Sequence, residues 1–281
     1  MFVGAGPFSL VHGAGGRADR VTPLLAAIAD VAGPPWRSVW VEFADTNEGK
    51  QLSGLARAIA QRLDAALRER IDARAATRLH VFLADGALAY VGESVARDNE
   101  SPMGIARLRM PPGAPSRSTL KLAEAIAVFL GDREPALLRS GMRAVDLGAA
   151  PGGWTWQLVQ RGVAVTAVDN GPLKGAIRDD RLVNHVREDA FRYRPRRPVD
   201  WLVCDVVEQP MRIAELIARW IAEGYAKRAI FNLKLPMKKR YDEVRRCMRR
   251  IDEIVRVPHA LSMRQLYHDR EEVTGFLDTR S

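Results

Sequence analysis

The amino-acid sequence predicts an α/β fold in which a Rossmann-like domain, with a mostly parallel, doubly wound sheet, follows a small α+β domain. From residue 118 onward, apolar strand patterns alternate with helical patterns, which is typical of βαβ units. The segment "VDLGAAPGGW" (145–154) runs from a strand into a glycine-rich turn. The segment "RMPPGAPSRS" (109–118) has three prolines and no periodicity, as expected of a linker between two domains.

The residues before the linker, 1–112, are predicted to form the small α+β domain. Residues 50–71, "KQLSGLARAIAQRLDAALRERI", favour a helix because Leu52, Ile59 and Leu63 fall on one face. Three segments have the apolar character of β-strands: "SVWVEFA", "RLHVFLA" and "ALAYVGES". Asp85-Gly86 separates the last two strands and predicts a hairpin.

The second domain, 113–281, is predicted to alternate between helices and strands. In chain order the elements are a helix from Ser118, the strand "RAVDLG", a helix after Gly153, the strands "VAVTAVD", "VNHVRED" and "VDWLVCD", the helix "MRIAELIARWIAEG", the strand "RAIFNLK", a helix from Pro236 and a final strand "EEVTGFL". In such sheets the ligand crevice lies at the carboxyl ends of the strands.

The composition is that of an ordinary globular protein, with 281 residues of which 47% are hydrophobic. Apolar runs such as "AIAVFL" are far shorter than the roughly 20 residues that span a bilayer. The first residues lack the basic start of a secretory signal, so we expect a cytoplasmic protein. Cys204 and Cys247 have neither CxxC nor CxxH spacing, which disfavours a disulfide framework and a zinc site.

The net charge of +9 is concentrated in the second domain. Residues 1–115 contain 13 Lys and Arg against 12 Asp and Glu, which leaves 30 against 22, or +8, for residues 116–281. Two basic clusters stand out, "RYRPRRP" (192–198) and "AKRAIFNLKLPMKKRYDEVRRCMRR" (226–250). A clustered basic surface indicates a polyanionic partner such as nucleic acid.

The glycine-rich turn after the first strand of the second domain indicates a nucleoside-containing cofactor. Glycines there let the backbone turn tightly and approach a ligand, and Asp169 follows Gly148 by 21 residues, where a carboxylate can accept both ribose hydroxyls. Nicotinamide dinucleotide and S-adenosylmethionine both fit this pattern. Asp146, which suits a charged amino group, and Pro151, which does not suit a pyrophosphate turn, favour S-adenosylmethionine. Asp189 either meets the adenine amino group or caps a turn.

Four charged residues are predicted to meet at the carboxyl edge of the sheet. Lys121 lies in the first turn of a helix, where the helix dipole disfavours a cation. Asp205 and Lys234 end their strands, and Glu272 begins or flanks the last one. A lone lysine at a strand end usually extends its amine into solvent. An ion-paired group of lysines and carboxylates is instead suited to tuning a general base for a weakly acidic hydroxyl.

Six ordered segments together resemble the RlmM family, the large-subunit ribosomal RNA 2′-O-ribose methyltransferases M, which are relatives of the FtsJ-type enzymes. The segments are "SRSTLKLAEA", "DLGAAPGGWT", "VDNGP", "CDVVEQP", "IFNLKLPMKKRYDEV" and "RQLYHDREEVT". The resemblance extends from about Phe43 onward and is dense between Ser116 and Thr274. It implies a Rossmann-like S-adenosylmethionine methyltransferase domain preceded by a THUMP-containing RNA-binding region.

The resemblance also implies a Lys-Asp-Lys-Glu tetrad at Lys121, Asp205, Lys234 and Glu272, with Glu271 as the alternative fourth member. The implied substrate is the 2′-hydroxyl of a cytidine in the peptidyl-transferase region of bacterial 23S ribosomal RNA, either naked or in an early large-subunit precursor, and the enzyme is expected to be a monomer without a metal. The sequence is expected to lack the family's first several dozen residues, so the THUMP-like region is expected to be partial. The cofactor-binding residues implied are Asp146, Gly148, Ala149, Pro151, Gly152, Gly153, Trp154, Asp169, Asp189 and Asp205.

The RNA backbone is expected to contact the two basic clusters, and a solvated helix face is the alternative interpretation of these charges. The residues predicted to bind RNA are Lys238, Lys239, Arg240, Arg194 and Arg196, with Arg245 and Arg246 nearby. Tyr193 and Tyr267 either stack on an unpaired base or pack in the core. His268 either contacts a ligand or is a hydrogen-bonded structural residue.

Two other functions account for part of the pattern. A nicotinamide-dependent reductase would use the same glycine-rich turn and Asp169, but it does not explain the basic clusters or the two lysines. An inactive RNA-binding or ribosome-assembly module would keep the fold and the basic surface, and RNA binding without turnover would be its signature.

Overall fold

The computed structural model describes residues 3–9, 19–31, 33, 35–96, 101–268 and 272–279. The chain divides into two compact units, Met1–Arg107 and Leu108–Ser281. The predicted domain boundary, between residues 112 and 113, lies five residues further along the chain. Within the described residues, no helix is long and apolar enough to cross a membrane.

The first unit is a four-stranded mixed sheet with helices. Its elements are β1 (Val3–Ser9), α1 (Val21–Val31), β2 (Val39–Phe43), α2 (Asn47–Lys50), α3 (Ser53–Ala66), β3 (Thr77–Leu83) and β4 (Leu88–Val95). The strand order is β1-β4-β3-β2, with β2 parallel to β3 and the other pairs antiparallel. The predicted hairpin is confirmed, and the Asp85 carboxylate accepts hydrogen bonds from the backbone N–H groups of Ala87 and Leu88.

The second unit contains a seven-stranded sheet with helices on both faces. Its elements are α4 (Ser118–Phe129), α5 (Glu134–Leu137), β5 (Arg143–Leu147), α6 (Gly153–Val159), β6 (Ala164–Val168), β7 (Val183–Val186), β8 (Val199–Cys204), α7 (Pro210–Ala222), β9 (Ala226–Lys234), α8 (Arg240–Ile254), β10 (His259–Arg264) and β11 (Glu272–Thr279). The strand order is β10-β11-β9-β8-β5-β6-β7. The five strands from β9 to β7 are parallel, which confirms the predicted Rossmann-like α/β sheet.

Alternation along the strands of this sheet builds two apolar layers. Leu202 and Phe231 point to the layer that contains α7 and α8, whereas their neighbours Val203 and Ile230 point to the layer that contains α4 and α6. Successive side chains of a strand face opposite sides, so strands buried on both faces are apolar throughout. Burial on both faces fixes the strand register, and with it the positions of the residues at the strand ends.

The second unit differs from the sequence prediction in several features, among them the four-residue helix α5, which was not predicted. The helix predicted from Pro236 begins at Arg240, because residues 235–239 form a connection in which Lys239 has a left-handed backbone (φ 57°). The Pro236 carbonyl accepts a hydrogen bond from Arg240 Nε. Strand β10 was not predicted, since it is an edge strand with no fully buried residue and forms only by antiparallel pairing with β11.

Candidate active site

Four charged side chains meet at the carboxyl edge of the parallel strands, as the sequence predicts. Lys121 lies in the first turn of α4, Asp205 follows β8, and Lys234 is the last residue of β9. Because β11 runs antiparallel to β9, its first residue, Glu272, lies directly opposite Lys234 in the register. We call these four residues the charged cluster. Glu271 lies outside the described residues.

Each amine of the charged cluster contacts both carboxylates. Lys121 Nζ is 3.0 Å from Glu272 Oε2 and 3.6 Å from Asp205 Oδ2. Lys234 Nζ is 2.5 Å from Glu272 Oε1 and 3.5 Å from Asp205 Oδ1. The four side chains are between 13% and 24% exposed. Partial burial strengthens these ion pairs relative to surface pairs, and two cations against two anions leave the cluster neutral.

A buried polar pair, Asn232 and Thr274, is hydrogen-bonded to the charged cluster from within the sheet. Asn232 Nδ2 donates to Asp205 Oδ1 at 3.0 Å, and Asn232 Oδ1 accepts from Thr274 Oγ1 at 2.9 Å. Asn232 and Thr274 are opposite each other in the β9–β11 register, two residues inward from Lys234 and Glu272. The period of two puts them on the same face as the cluster. Sequence reasoning assigned neither a role, although an asparagine two residues before Lys234 in an apolar strand was a usable signal.

The glycine-rich turn between β5 and α6 lies beside Asp205. The Asp205 backbone N–H donates to the Leu147 carbonyl at 3.3 Å. Gly148 has φ 76°, and a Cβ added there would lie 2.7 Å from Val206 Cγ2. Gly152 has φ 111°. Both conformations favour glycine. The absence of a side chain at Gly148 lets the turn pack directly against Val206, the residue after Asp205.

Asp146, one residue before the end of β5, is a buried carboxylate with one unsatisfied oxygen among the described residues. Thr155 Oγ1 donates to Asp146 Oδ2 at 2.6 Å, whereas Oδ1 has no hydrogen-bond partner among the described residues. Burial raises the pKa of Asp146 to about 7, and the negative charges of Asp205 and Asp169 add to this effect, while the Thr155 hydrogen bond opposes it. A buried acceptor without a partner is costly, so this oxygen is available to a donor that enters the site.

Asp169 and Asp189 differ in what their carboxylates do. Asp169, directly after β6, accepts hydrogen bonds from the backbone N–H groups of Ala150 at 3.0 Å and Gly171 at 2.7 Å. It thereby ties the end of β6 to the glycine-rich turn. Asp189 is exposed, and its Oδ1 accepts from the Phe191 N–H at 2.7 Å. This is the turn-capping arrangement that the sequence left open as an alternative.

The other predicted cofactor residues lie within the turn or directly under it. Ala149, Gly152 and Gly153 are buried and Pro151 is half-buried. Trp154 is packed in the apolar layer formed with α4, beside Leu122 and Leu158 in the same cluster. Its indole N–H has no hydrogen-bond partner among the described residues.

The predicted RNA-binding residues fall on two separate surfaces. Lys238 and Lys239 are exposed on the β9–α8 connection and Arg240 begins α8, so this group follows Lys234 at the carboxyl edge. Arg194 and Arg196 instead line a cavity of about 780 Å³. Its lining also includes the first residues of four parallel strands, Arg143, Ala164, Val183 and Val199. This second surface is therefore at the amino edge of the sheet.

The aromatic and histidine candidates have structural contacts. The half-buried Tyr193 ring stacks on Trp220 with centroids 6.3 Å apart. The backbone N–H groups of Tyr267 and His268 both donate to the buried Glu124 carboxylate, and His268 Nδ1 is 2.6 Å from it. Glu124, three residues after Lys121 on α4, holds the segment that precedes β11. Sequence reasoning missed it, although a carboxylate on the apolar face of a helix was a signal.

Comparisons with known proteins identify the family. The sequence model of the FtsJ-like methyltransferase family matches residues 114–250. The model described as Ribosomal RNA large subunit methyltransferase M, N-terminal, matches residues 19–95. A protein named Ribosomal RNA large subunit methyltransferase M from Methylococcus capsulatus is 54% identical over 265 residues, which are 92% of this chain and 75% of the relative. A protein of the same name from Laribacter hongkongensis is 51% identical over 269 residues, 93% of this chain and 76% of the relative. The chain therefore belongs to the ribosomal RNA large subunit methyltransferase M family.

Proposed function

We propose that this protein transfers a methyl group from S-adenosylmethionine to the ribose 2′-hydroxyl of a cytidine in the peptidyl-transferase region of 23S ribosomal RNA. The observation that carries the proposal is the charged cluster, in which Lys234 Nζ lies between Asp205 and Glu272 beside a glycine-rich turn. Membership of a family named for ribosomal RNA methylation supports it. The proposed acceptor is a weakly acidic hydroxyl, which needs a positioned base.

The residues around the glycine-rich turn fit S-adenosylmethionine. Asp146 Oδ1, buried and without a described partner, suits the cationic amino group of the cofactor. Asp169, at the end of β6, keeps acceptor capacity beyond its two backbone bonds, as the ribose hydroxyls require. The exposed Asp189 is proposed to accept from the adenine amino group. When bound, the cofactor supplies an electrophilic methyl group on a sulfonium.

In the proposed mechanism, Lys234 orients the ribose 2′-hydroxyl and takes its proton as the oxygen becomes methylated. To act as this base, Lys234 first releases one ammonium proton to solvent, and uptake of the hydroxyl proton then restores two ammonium groups against the two carboxylates of the charged cluster. Asp205 and Lys121 hold the amine and the hydroxyl in line, and Glu272 positions Lys121. Much of the acceleration then comes from alignment, since holding reactants in attack geometry removes a large entropic cost.

Asn232 is proposed to be a positioning residue for Asp205. We expect Asn232→Ala to slow methyl transfer about tenfold and to lower the free energy of unfolding by about 1–3 kcal/mol, because buried hydrogen-bonding groups lose a partner. Single-turnover kinetics and denaturant unfolding measure the two effects. Thr274→Val, which removes only the hydroxyl that donates to Asn232, should have the smaller effect on both. Unchanged transfer by Asn232→Ala would exclude the positioning role.

The RNA substrate is proposed to bind the basic group that follows Lys234. We expect Lys238→Gln with Lys239→Gln to weaken RNA binding and to reduce the slope of log affinity against log salt by about 1–2, because fewer counterions are released. Filter binding across a salt series measures the slope. Arg139→Gln with Arg256→Gln removes the same charge from other exposed positions and should leave the slope unchanged. Equal slopes for all three proteins would exclude this surface.

The first unit is proposed to contribute further RNA contacts as a THUMP-like domain. The enzyme is proposed to work as a monomer. A substrate in bacterial ribosomal RNA, naked or in an early precursor, makes the cytoplasm the proposed location.

The decisive test is transfer of tritiated methyl groups to unmodified, protein-free 23S ribosomal RNA, followed by mapping of the labelled nucleotide. Label on a cytidine 2′-oxygen supports the proposal. Label on a base would contradict the proposed atom while leaving ribosomal RNA methylation intact. RNA binding without label on either naked RNA or an early precursor would instead support an inactive RNA-binding module.

A further inference from the structure

A second pocket lies next to the charged cluster, on the side of helix α8. It has a volume of about 490 Å³, and Glu272 is part of its lining. Leu235, the residue after Lys234, also lines it. The pocket therefore adjoins the charged cluster and shares Glu272 with it, whereas its other lining residues lie outside the cluster.

One stripe of α8 forms a wall of this pocket. Tyr241, Val244, Arg245 and Met248 all line it, and their spacing of three, four and seven residues puts them on one face of the helix. Met263 of β10 and Val273 of β11 add apolar surface from the edge of the sheet. The result is a partly apolar depression along this face of the helix.

Tyr241 is the conspicuous member of the stripe because its large side chain is 71% exposed. The guanidinium carbon of Arg245, one helical turn later, is 5.9 Å from the centre of the Tyr241 ring. An exposed aromatic ring with an arginine beside it, in the lining of a partly apolar pocket, offers a flat surface on which another planar group can stack.

The charge around the pocket indicates an anionic ligand. Three arginines line it, Arg240, Arg245 and Arg264. Glu272, the one carboxylate among the described lining residues, is already ion-paired with both lysines of the charged cluster. A ligand with a flat apolar face and a negative charge matches this combination, since arginine binds phosphate groups and aromatic rings stack on bases. Pockets of about 300–1,000 Å³ are typical of small-molecule and cofactor sites.

We propose that this pocket binds the base of an unpaired nucleotide adjacent in the RNA to the methylated one, with the base stacked on Tyr241 and its phosphate near Arg245 and Arg264. The inference rests on the proposed function, because it takes the charged cluster as the place where the acceptor ribose binds. Stacking tolerates any base, so the pocket selects unpaired RNA next to the acceptor and does not read a sequence.

A fluorescence experiment tests the stacking without any methyl transfer. The probe is a short oligocytidine RNA with one central 2-aminopurine, whose fluorescence is quenched when the base stacks on an aromatic ring. We expect quenching by the wild-type protein and by Tyr241→Phe, and loss of quenching with Tyr241→Ala. Met237→Ala, which removes an exposed side chain outside the pocket lining, is the control and should behave as wild type. Absence of quenching by the wild type, or equal quenching by Tyr241→Ala, would overturn the inference.

A kinetic experiment separates the inference from the proposed function. Tyr241→Ala should raise the KM for RNA about tenfold, with little change in kcat or in cofactor affinity measured by calorimetry. An unchanged KM in a protein whose wild type methylates RNA would overturn the pocket and leave the proposed function intact. Quenching that depends on Tyr241 in a wild type that transfers no methyl group would refute the proposed function while the base-binding pocket remained.

Discussion

Lys234→Ala is expected to reduce methyl transfer by about 10²–10⁴-fold, the range that a positioned general base supplies. In the structure, Lys234 Nζ contacts Asp205 and Glu272, so its removal eliminates the amine proposed to take the hydroxyl proton and leaves Lys121 as the remaining amine of the charged cluster. Cofactor affinity should change by less than about twofold, because Asp146 and Asp169 lie at other strands. Transfer of tritiated methyl groups and calorimetric titration of S-adenosylmethionine measure the two effects.

Lys227 provides a matched control on the same strand. It lies near the amino end of β9, is exposed and pairs with Asp200 at 3.4 Å. Lys227→Ala removes an equal charge far along the strand and should retain wild-type transfer. Lys234→Arg keeps the positive charge but cannot give up its proton, so inactivity of this variant would support proton uptake by Lys234. Lost cofactor binding in Lys234→Ala would contradict the separation of the two sites.

The charged cluster could be predicted because parallel strands end at one edge of the sheet. Asp205 and Lys234 were identified as ends of apolar strands, and burial on both faces of those strands fixes which residues reach the edge. Residues of the same type in an exposed helix would not have allowed this inference. The ion-pair geometry confirms that these residues come together, whereas their catalytic roles stay predictions.

Other features could not be predicted because they depend on pairing between distant segments. The bond from Thr274 to Asn232 requires the antiparallel β9–β11 register, and an edge strand such as β10 has little apolar signal of its own. The burial of the Glu124 carboxylate is explained by the backbone N–H groups of residues 267 and 268, which donate to it from more than 140 positions away. Tertiary contacts of this kind override local pattern.

The basic residues show where charge counting is insufficient. Arg194 and Lys238 belong to clusters of similar composition, yet they lie at opposite edges of the sheet. The difference arises because residues 187–198 lead from the end of β7 back to the start of β8, whereas residues 235–239 leave the carboxyl end of β9. Connection topology therefore determines which cluster lies beside the proposed acceptor site.

Asp146→Asn is expected to have two large and opposite effects, the first of which is on the cofactor. The cationic amino group proposed to meet Asp146 Oδ1 would lose its charge partner, and truncating one member of a buried charge pair typically costs about 2–5 kcal/mol of binding. Calorimetry should then show affinity for S-adenosylmethionine at least about 30-fold weaker. In the wild type, affinity should fall as the pH drops below about 7, the pKa to which burial raises this carboxyl, because the protonated form carries no charge.

The second effect is a more stable protein in the absence of cofactor. The folded protein holds the Asp146 proton up to about pH 7, whereas the unfolded chain releases it near the ordinary value of 3.8. The contribution of Asp146 to the stability of the wild type is therefore fully present below pH 3.8 and is lost as the pH rises toward 7. Asparagine does not titrate, so Asp146→Asn should melt about 5 °C above the wild type at pH 8, with a difference that shrinks toward pH 4.

Asp200 on the neighbouring strand β8 is the matched control, with the opposite sign. Burial raises the pKa of Asp200, but hydrogen bonds from the Arg143 backbone N–H and from Lys227, with their positive charges, outweigh burial and lower it. Its charged form thus stabilises the fold above pH 3.8, and that contribution is lost as the pH falls through the lowered pKa. Asp200→Asn should consequently melt below the wild type at pH 8. Melting-temperature shifts of the same sign for both variants would contradict the prediction. They would mean that the buried Asp146 carboxylate does not destabilise the cofactor-free protein.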